Sequence, residues 1–151
     1  MNLILEDCAQ VPYFTNMRVV FDALELNASD FDWFVSDIEH AGGDAFCSED
    51  HWISGEDLER ALLSNDIQFV WAVFSAIPKG GPRPAIHEPP YADGNPAFWS
   101  DPSPRPQLIG ALFEIVCWDS SATILVGLPD AALRRFWHRF PDSKPLNAAP
   151  R

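Results

Sequence analysis

The sequence is short of basic residues and lacks nearly every motif that announces a reaction. Its 151 residues hold 10 Lys and Arg against 22 Asp and Glu, a formal net charge of −12. Such a field repels phosphate backbones and anionic lipid, which argues against binding nucleic acid or a membrane surface through charge neutralisation. No apolar run reaches the roughly 18–20 residues that span a bilayer. The longest, Phe69 to Ile77, has nine residues and is interrupted by Ser75. Cysteine is limited to Cys8, Cys47 and Cys117, an odd number without a Cys-x-x-Cys pair. The opening residues, MNLILEDC, lack the basic and long apolar regions of a secretion signal. Together these absences lead to the expectation of a cytoplasmic protein with free thiols.

The catalytic signatures are missing too. Neither G-x-G-x-x-G nor G-x-x-x-x-G-K-[ST] occurs, so no nucleotide or flavin cofactor is expected. G-x-S-x-G is absent, and Asp44, Glu49 and Asp50 lack the spacing of a calcium loop. His40, Cys47 and His51 fall close together, and Cys47-x3-His51 has zinc-ligand spacing. No second pair completes a four-ligand set, so no metal is expected.

What is present describes a globular chain. Hydrophobic residues make up 47% and aromatics 13%, and the length fits a single domain over residues 1–151. The charge is unevenly spread. Residues 1–66 carry 15 acids and only Arg18 and Arg60, giving −13, whereas residues 67–151 come to +1. Residues 78–106 contain nine prolines and are expected as a long loop within the domain, anchored by Ile86, Tyr91, Phe98 and Trp99. Residues 145–151 read as a flexible tail.

The elements read as follows. Met17 to Leu26 is rich in β-branched residues and predicts a strand. Residues 30–39 fit either period: Phe31, Trp33 and Val35 alternate as in a strand, while Phe31, Phe34, Val35 and Ile38 fit a helix. Ser54-Gly55-Glu56-Asp57 is a capping box that starts a helix buried through Leu58 and Leu62 and stopped by Ser64-Asn65-Asp66. Residues 67–77 are apolar on both parities and predict a central strand covered on both faces. Residues 110–118 and 122–128 flank Asp119-Ser120-Ser121 as an antiparallel hairpin. After Pro129, Leu133, Phe136, Trp137 and Phe140 recur with helical spacing, opposite Arg134, Arg135, His138 and Arg139. The fold class is α+β: a mainly antiparallel sheet with two or three helices packed on it.

Two chemistries compete. Glu114, among Phe113, Ile115 and Val116, could be a general acid with a raised pKa beneath the proline-rich loop, or it could pair with a base such as Arg134. Asp37, Glu39 and His40, in the run DIEH, are further acid–base candidates for a small enzyme of that kind. Against this stands an interleaving of aromatics with acids in Asp30-Phe31-Asp32-Trp33-Phe34 and Glu49-Asp50-His51-Trp52. Aromatic anchors ringed by carboxylates suit a cationic protein surface, although each Trp also fits a core position.

A resemblance sharpens the second reading. The stretch Phe113-Glu114-Ile115-Val116-Cys117-Trp118-Asp119-Ser120-Ser121-Ala122-Thr123-Ile124, followed by a helix ending Phe136-Trp137-His138-Arg139-Phe140-Pro141-Asp142, looks like small bacterial proteins. Some of these resemble immunity proteins of polymorphic or contact-dependent toxin systems. The likeness spans about residues 110–146. It implies a cytosolic α+β protein that binds and neutralises one cognate toxin, often a basic nuclease, and it implies no catalytic residue. The expectation is a basic protein partner met by Asp30, Asp32, Trp33, Asp37, Glu39, Asp44, Glu49, Asp50 and Trp52. A small enzyme and a homo-oligomer closed by exposed aromatics are the alternatives.

Overall fold

The computed structural model describes residues 1–6 and 15–148. Its elements are β1 (Leu3–Leu5), α1 (Met17–Leu24), β2 (Phe31–His40), β3 (His51–Ser54), α2 (Gly55–Ser64), β4 (Phe69–Pro78), α3 (Ala97–Ser100), β5 (Phe113–Trp118), β6 (Ala122–Val126), α4 (Asp130–Arg139) and β7 (Lys144–Pro145). The strands form one antiparallel sheet in the order β3-β2-β4-β5-β6-β1-β7. The chain is thus an α+β domain. Among the described residues, no helix is long and apolar enough to cross a membrane.

Residues 17–24 are a helix where a strand is expected. The Asn16 side chain accepts from the Arg18 and Val19 amides, which starts the helix, and Glu25 closes it in the left-handed region at φ 53°. Met17, Val20, Phe21 and Leu24 are buried with helical spacing. The penalty for Val19 and Val20 in a helix is only a few tenths of a kcal/mol each, and burial of that stripe outweighs it. Residues 31–40 settle as a strand. Both periods fitted because residues 33–36 are all buried, with Trp33 and Val35 in one core and Phe34 in another.

The capping box behaves as the sequence predicts, with Ser54 Oγ accepting from the Asp57 amide at 3.2 Å. Gly55 is required there by space. A Cβ on it would lie 2.1 Å from the Phe31 carbonyl oxygen and 2.4 Å from that of Ala28. The hairpin turns through Asp119 and Ser120, both at positive φ. Residues 144–148 are not a free tail: Pro145 pairs with Leu3, the Leu146 amide donates to Asn2 O at 3.0 Å, and Leu146 is buried. Residues 149–151 and Cys8 lie outside the described residues.

The sheet is covered on both faces. Helices α1, α2 and α4 bury one face through Phe21, Leu24, Leu58, Leu62, Leu133 and Phe136, packed against Trp33, Val35, Phe74, Phe113 and Ile115. The other face is covered by residues 79–112, which carry one helical turn, α3, and otherwise neither helix nor strand. Ala92 and Phe98 pack there on Ile4, Val73, Val116, Ile124 and Val126, and Leu108 packs on Phe34 and Ile77. A chain segment rich in proline thereby does the work of a third layer.

A candidate interaction surface at one sheet edge

Proline removes amide donors, but the remaining amides of residues 79–112 still need acceptors. Carboxylates on the sheet supply several of them. Asp32 Oδ2 accepts from the Gly80 amide at 2.9 Å. Asp37 Oδ2 accepts from Ala92 at 2.8 Å and from Asp93 at 2.9 Å. Glu114 Oε1 accepts from the Gln107 amide at 2.8 Å, while its Oε2 accepts from the Leu108 amide at 3.1 Å and the Ser75 hydroxyl at 2.9 Å. Ser36 Oγ donates to Pro90 O at 2.7 Å. The clamped turn at residues 108–111 projects Ile109, which is 84% exposed.

Glu114 is therefore neither paired with Arg134 nor placed to meet a substrate. Its side chain is 0% exposed, and its acceptors face the chain's own amides and hydroxyl. Burial pushes its pKa above the usual carboxylate range, opposed by the hydrogen bonds from Gln107, Leu108 and Ser75. Arg134 lies exposed on α4, the helix that packs on the opposite face of the sheet.

His40 organises the β2–β3 connection. Its Nδ1 accepts the Gly42 amide at 2.9 Å, which leaves Nε2 to donate to Phe46 O at 2.7 Å. His51 Nδ1 donates to Glu49 O at 2.6 Å. Cys47 is exposed, and no group of three metal-ligating side chains occurs among the described residues.

The nine nominated contact residues divide by location. Trp33 is 0% exposed and donates its indole N–H to Ala28 O at 2.9 Å, so it is a core residue and leaves the surface set. Trp52 is half-buried, packed on Phe34 with the Arg83 guanidinium 5.3 Å above its ring. Asp32 and Asp37 point their carboxylates at the proline-rich layer and hold it in place. Asp50 is exposed, with Oδ1 accepting the Asp37 amide at 3.0 Å. Asp30, Glu39, Asp44 and Glu49 are exposed and make no ion pair among the described residues.

Topology collects these acids. Residues 30–59 contain ten acids and no Lys or Arg, and they include β2, the edge strand β3 and the first half of α2. Two acids of this segment carry intramolecular ion pairs, Glu56 to Lys79 and Asp57 to Arg60. The opposite edge strand, β7, lies six strands away, about 29 Å at the usual ~4.8 Å spacing. Arg134, Arg135, His138 and Arg139 all sit on α4, which directly precedes β7 in the chain. The acids of residues 30–59 thus gather toward the β3 edge, whereas Glu6 and Glu25, from the same acidic half, pair with Lys144 and Arg135 toward the other side of the fold.

Trp99, expected only as an anchor of the proline-rich segment, meets two aromatics that no sequence pattern linked to it. Trp71, Trp99 and Trp118 are half-buried together at one end of the proline-covered face. The Trp71 and Trp118 ring centroids lie 4.9 Å apart at 74°, and those of Trp99 and Trp118 lie 4.9 Å apart at 87°. Trp71 hides in an unbroken apolar run, and only its position near a strand end signals partial exposure. Elsewhere, a cleft of about 370 Å³ between α1 and α2 contains Arg18, whose guanidinium caps α2 through Leu62 O at 3.2 Å and Leu63 O at 3.4 Å. Compared with protein-family models, curated proteins and solved structures, the chain gives no significant match to any of them.

Proposed function

We propose that the protein is a non-catalytic cytoplasmic binding protein of the immunity type, which neutralises a basic protein toxin such as a nuclease. The observation that carries this reading is the concentration of ten acids and no Lys or Arg in residues 30–59, which include the two strands at one edge of the sheet, β2 and β3, and the start of α2. Four of these acids, Asp30, Glu39, Asp44 and Glu49, stand exposed without an intramolecular ion pair among the described residues. Carboxylates so placed occupy a cationic cleft where phosphates would sit, and their field steers the encounter. The free thiols of Cys47 and Cys117 fit a reducing compartment. The competing enzyme reading loses its best acid, because the oxygens of Glu114 are engaged inside the fold.

The test is capture from the native cell's lysate on immobilised protein, washed over a salt ladder, beside a variant carrying Asp30→Lys, Glu39→Lys, Asp44→Lys and Glu49→Lys. The expected result is one basic protein, released progressively by salt and not retained by the variant. Equal retention by both proteins would remove the acidic edge from the account.

A further inference from the structure

We propose that Trp71, Trp99 and Trp118, with Glu39, form an anchor site for an arginine side chain of a basic protein partner. This inference rests on the binding reading above and names the chemistry of its contact. Three tryptophans packed edge to face at the rim of the fold are each only partly buried, and tryptophan ringed by polar groups is a preferred interface anchor. Tryptophan is the best ring for attracting a cation, and a planar guanidinium both stacks on it and binds a carboxylate with two N–H groups.

The surroundings have the matching charge. Glu39 is the direct cross-strand partner of Trp71 and is exposed, and such partners share a face of the sheet. Asp119 follows Trp118 in the hairpin turn, and Asp101 lies two residues beyond Trp99. Asp93 has its amide held by Asp37, next to Ala92, which packs in the same cluster as the three tryptophans. All four of these acids are exposed. Glu39, Asp93, Asp101 and Asp119 form no ion pair among the described residues. The register of β2 against β4 shifts on either side of Glu39, with Asp37 at φ 54°. Bulges of this kind re-aim a side chain. An aromatic centre with a polar, anionic rim is the arrangement of an interface hot spot.

The experiment uses the full chain labelled with ¹⁵N-tryptophan, whose six indole N–H signals are assigned from single Trp→Phe variants. At low salt it is titrated with hexa-arginine peptide, with hexalysine and with tetramethylammonium chloride. Hexa-arginine is expected to move the signals of Trp71, Trp99 and Trp118 and to leave that of buried Trp33 in place. It should bind about ten-fold tighter than hexalysine, and Trp99→Leu should weaken it by about ten-fold. Glu39→Gln, a surface change that leaves the aromatic cluster intact, should weaken it by roughly three-fold and flatten its salt dependence. An unmoved Trp33 signal in each variant certifies the fold.

Unshifted Trp71, Trp99 and Trp118 signals would overturn the proposal, as would equal affinity for both variants and wild type. Equal affinity for hexalysine would overturn the choice of arginine, and an equal response to tetramethylammonium would overturn the choice of a protein source. The two levels separate cleanly. Capture of a basic protein that survives Trp99→Leu but not the lysine substitutions removes only this site. Peptide shifts without any captured protein remove only the proposed function.

Discussion

Replacing Glu114 by Gln tests whether this carboxylate holds the proline-rich layer on the sheet. Both carboxylate oxygens are in use, Oε1 by the Gln107 amide and Oε2 by the Leu108 amide and Ser75 hydroxyl. Glutamine keeps one accepting oxygen and puts an NH2 in place of the other. In the better orientation it retains Leu108 and Ser75 and leaves the Gln107 amide facing a donor. One buried unsatisfied donor costs about 1–3 kcal/mol. At ~2–4 °C per kcal/mol for a chain of this size, Tm falls by about 2–12 °C.

The effect also depends on pH. Glu114 has a raised pKa in the folded state, first because burial disfavours the charged form. The folded protein therefore holds more protons than the unfolded chain between the two pKa values. This contribution to stability is complete below the unfolded value and is lost as pH rises through the folded one. Glutamine has no such dependence. The stability gap between wild type and Glu114→Gln is expected to be widest below the ordinary glutamate range and to narrow as pH rises. Urea unfolding followed by tryptophan fluorescence across pH 4–8, with hydrogen exchange at residues 107–112, measures both effects. An unchanged Tm, a gap that is flat with pH and unchanged protection at those amides would refute the reasoning.

Four other outcomes are expected. Gly55→Ala drives a methyl group into the Phe31 and Ala28 carbonyls and should cost at least about 1–3 kcal/mol in chemical denaturation. Asn16→Ala removes the cap of α1 and should cost about 1 kcal/mol, with lost helical signal in circular dichroism. Asp37→Ala strips two amides of their acceptor at a left-handed position, so it should be less stable than Asp37→Asn by about 1–3 kcal/mol, with faster hydrogen exchange at Ala92 and Asp93. In native protein, thiol labelling mapped by mass spectrometry should modify exposed Cys47 and spare Cys117, whose thiol pKa is pushed up by burial; equal modification would contradict the packing around Cys117.

Much of the helix and strand content is legible because local chemistry and tertiary burial agree there. The Ser54 cap, the positive-φ turn at Asp119-Ser120 and the Leu133–Phe140 stripe each have a local physical cause. The failure at residues 17–24 has one as well. β-branching is a weak preference, and the Asn16 cap together with the buried stripe of α1 overrides it. The candidate surface was less legible because an acid next to an aromatic has the same composition whether it faces in or out. Trp33 alternates into the core, whereas Asp32 and Asp37 turn inward only because a distant proline-rich segment arrives short of acceptors. No local pattern announces that arrival. Only part of the split in charge survives folding: the acids on β2 and β3 stay together because the two strands are neighbours, while Glu6 and Glu25 meet Lys144 and Arg135.

The most direct test of the central claim is the association rate with the captured basic protein, measured against ionic strength for wild type and for the variant with lysines at positions 30, 39, 44 and 49. If the acidic edge steers the encounter, the wild-type rate falls steeply with salt. The variant should associate at least about ten-fold more slowly at low salt with little salt dependence, while dissociation changes far less. Identical association rates and salt slopes for the two proteins would contradict the account.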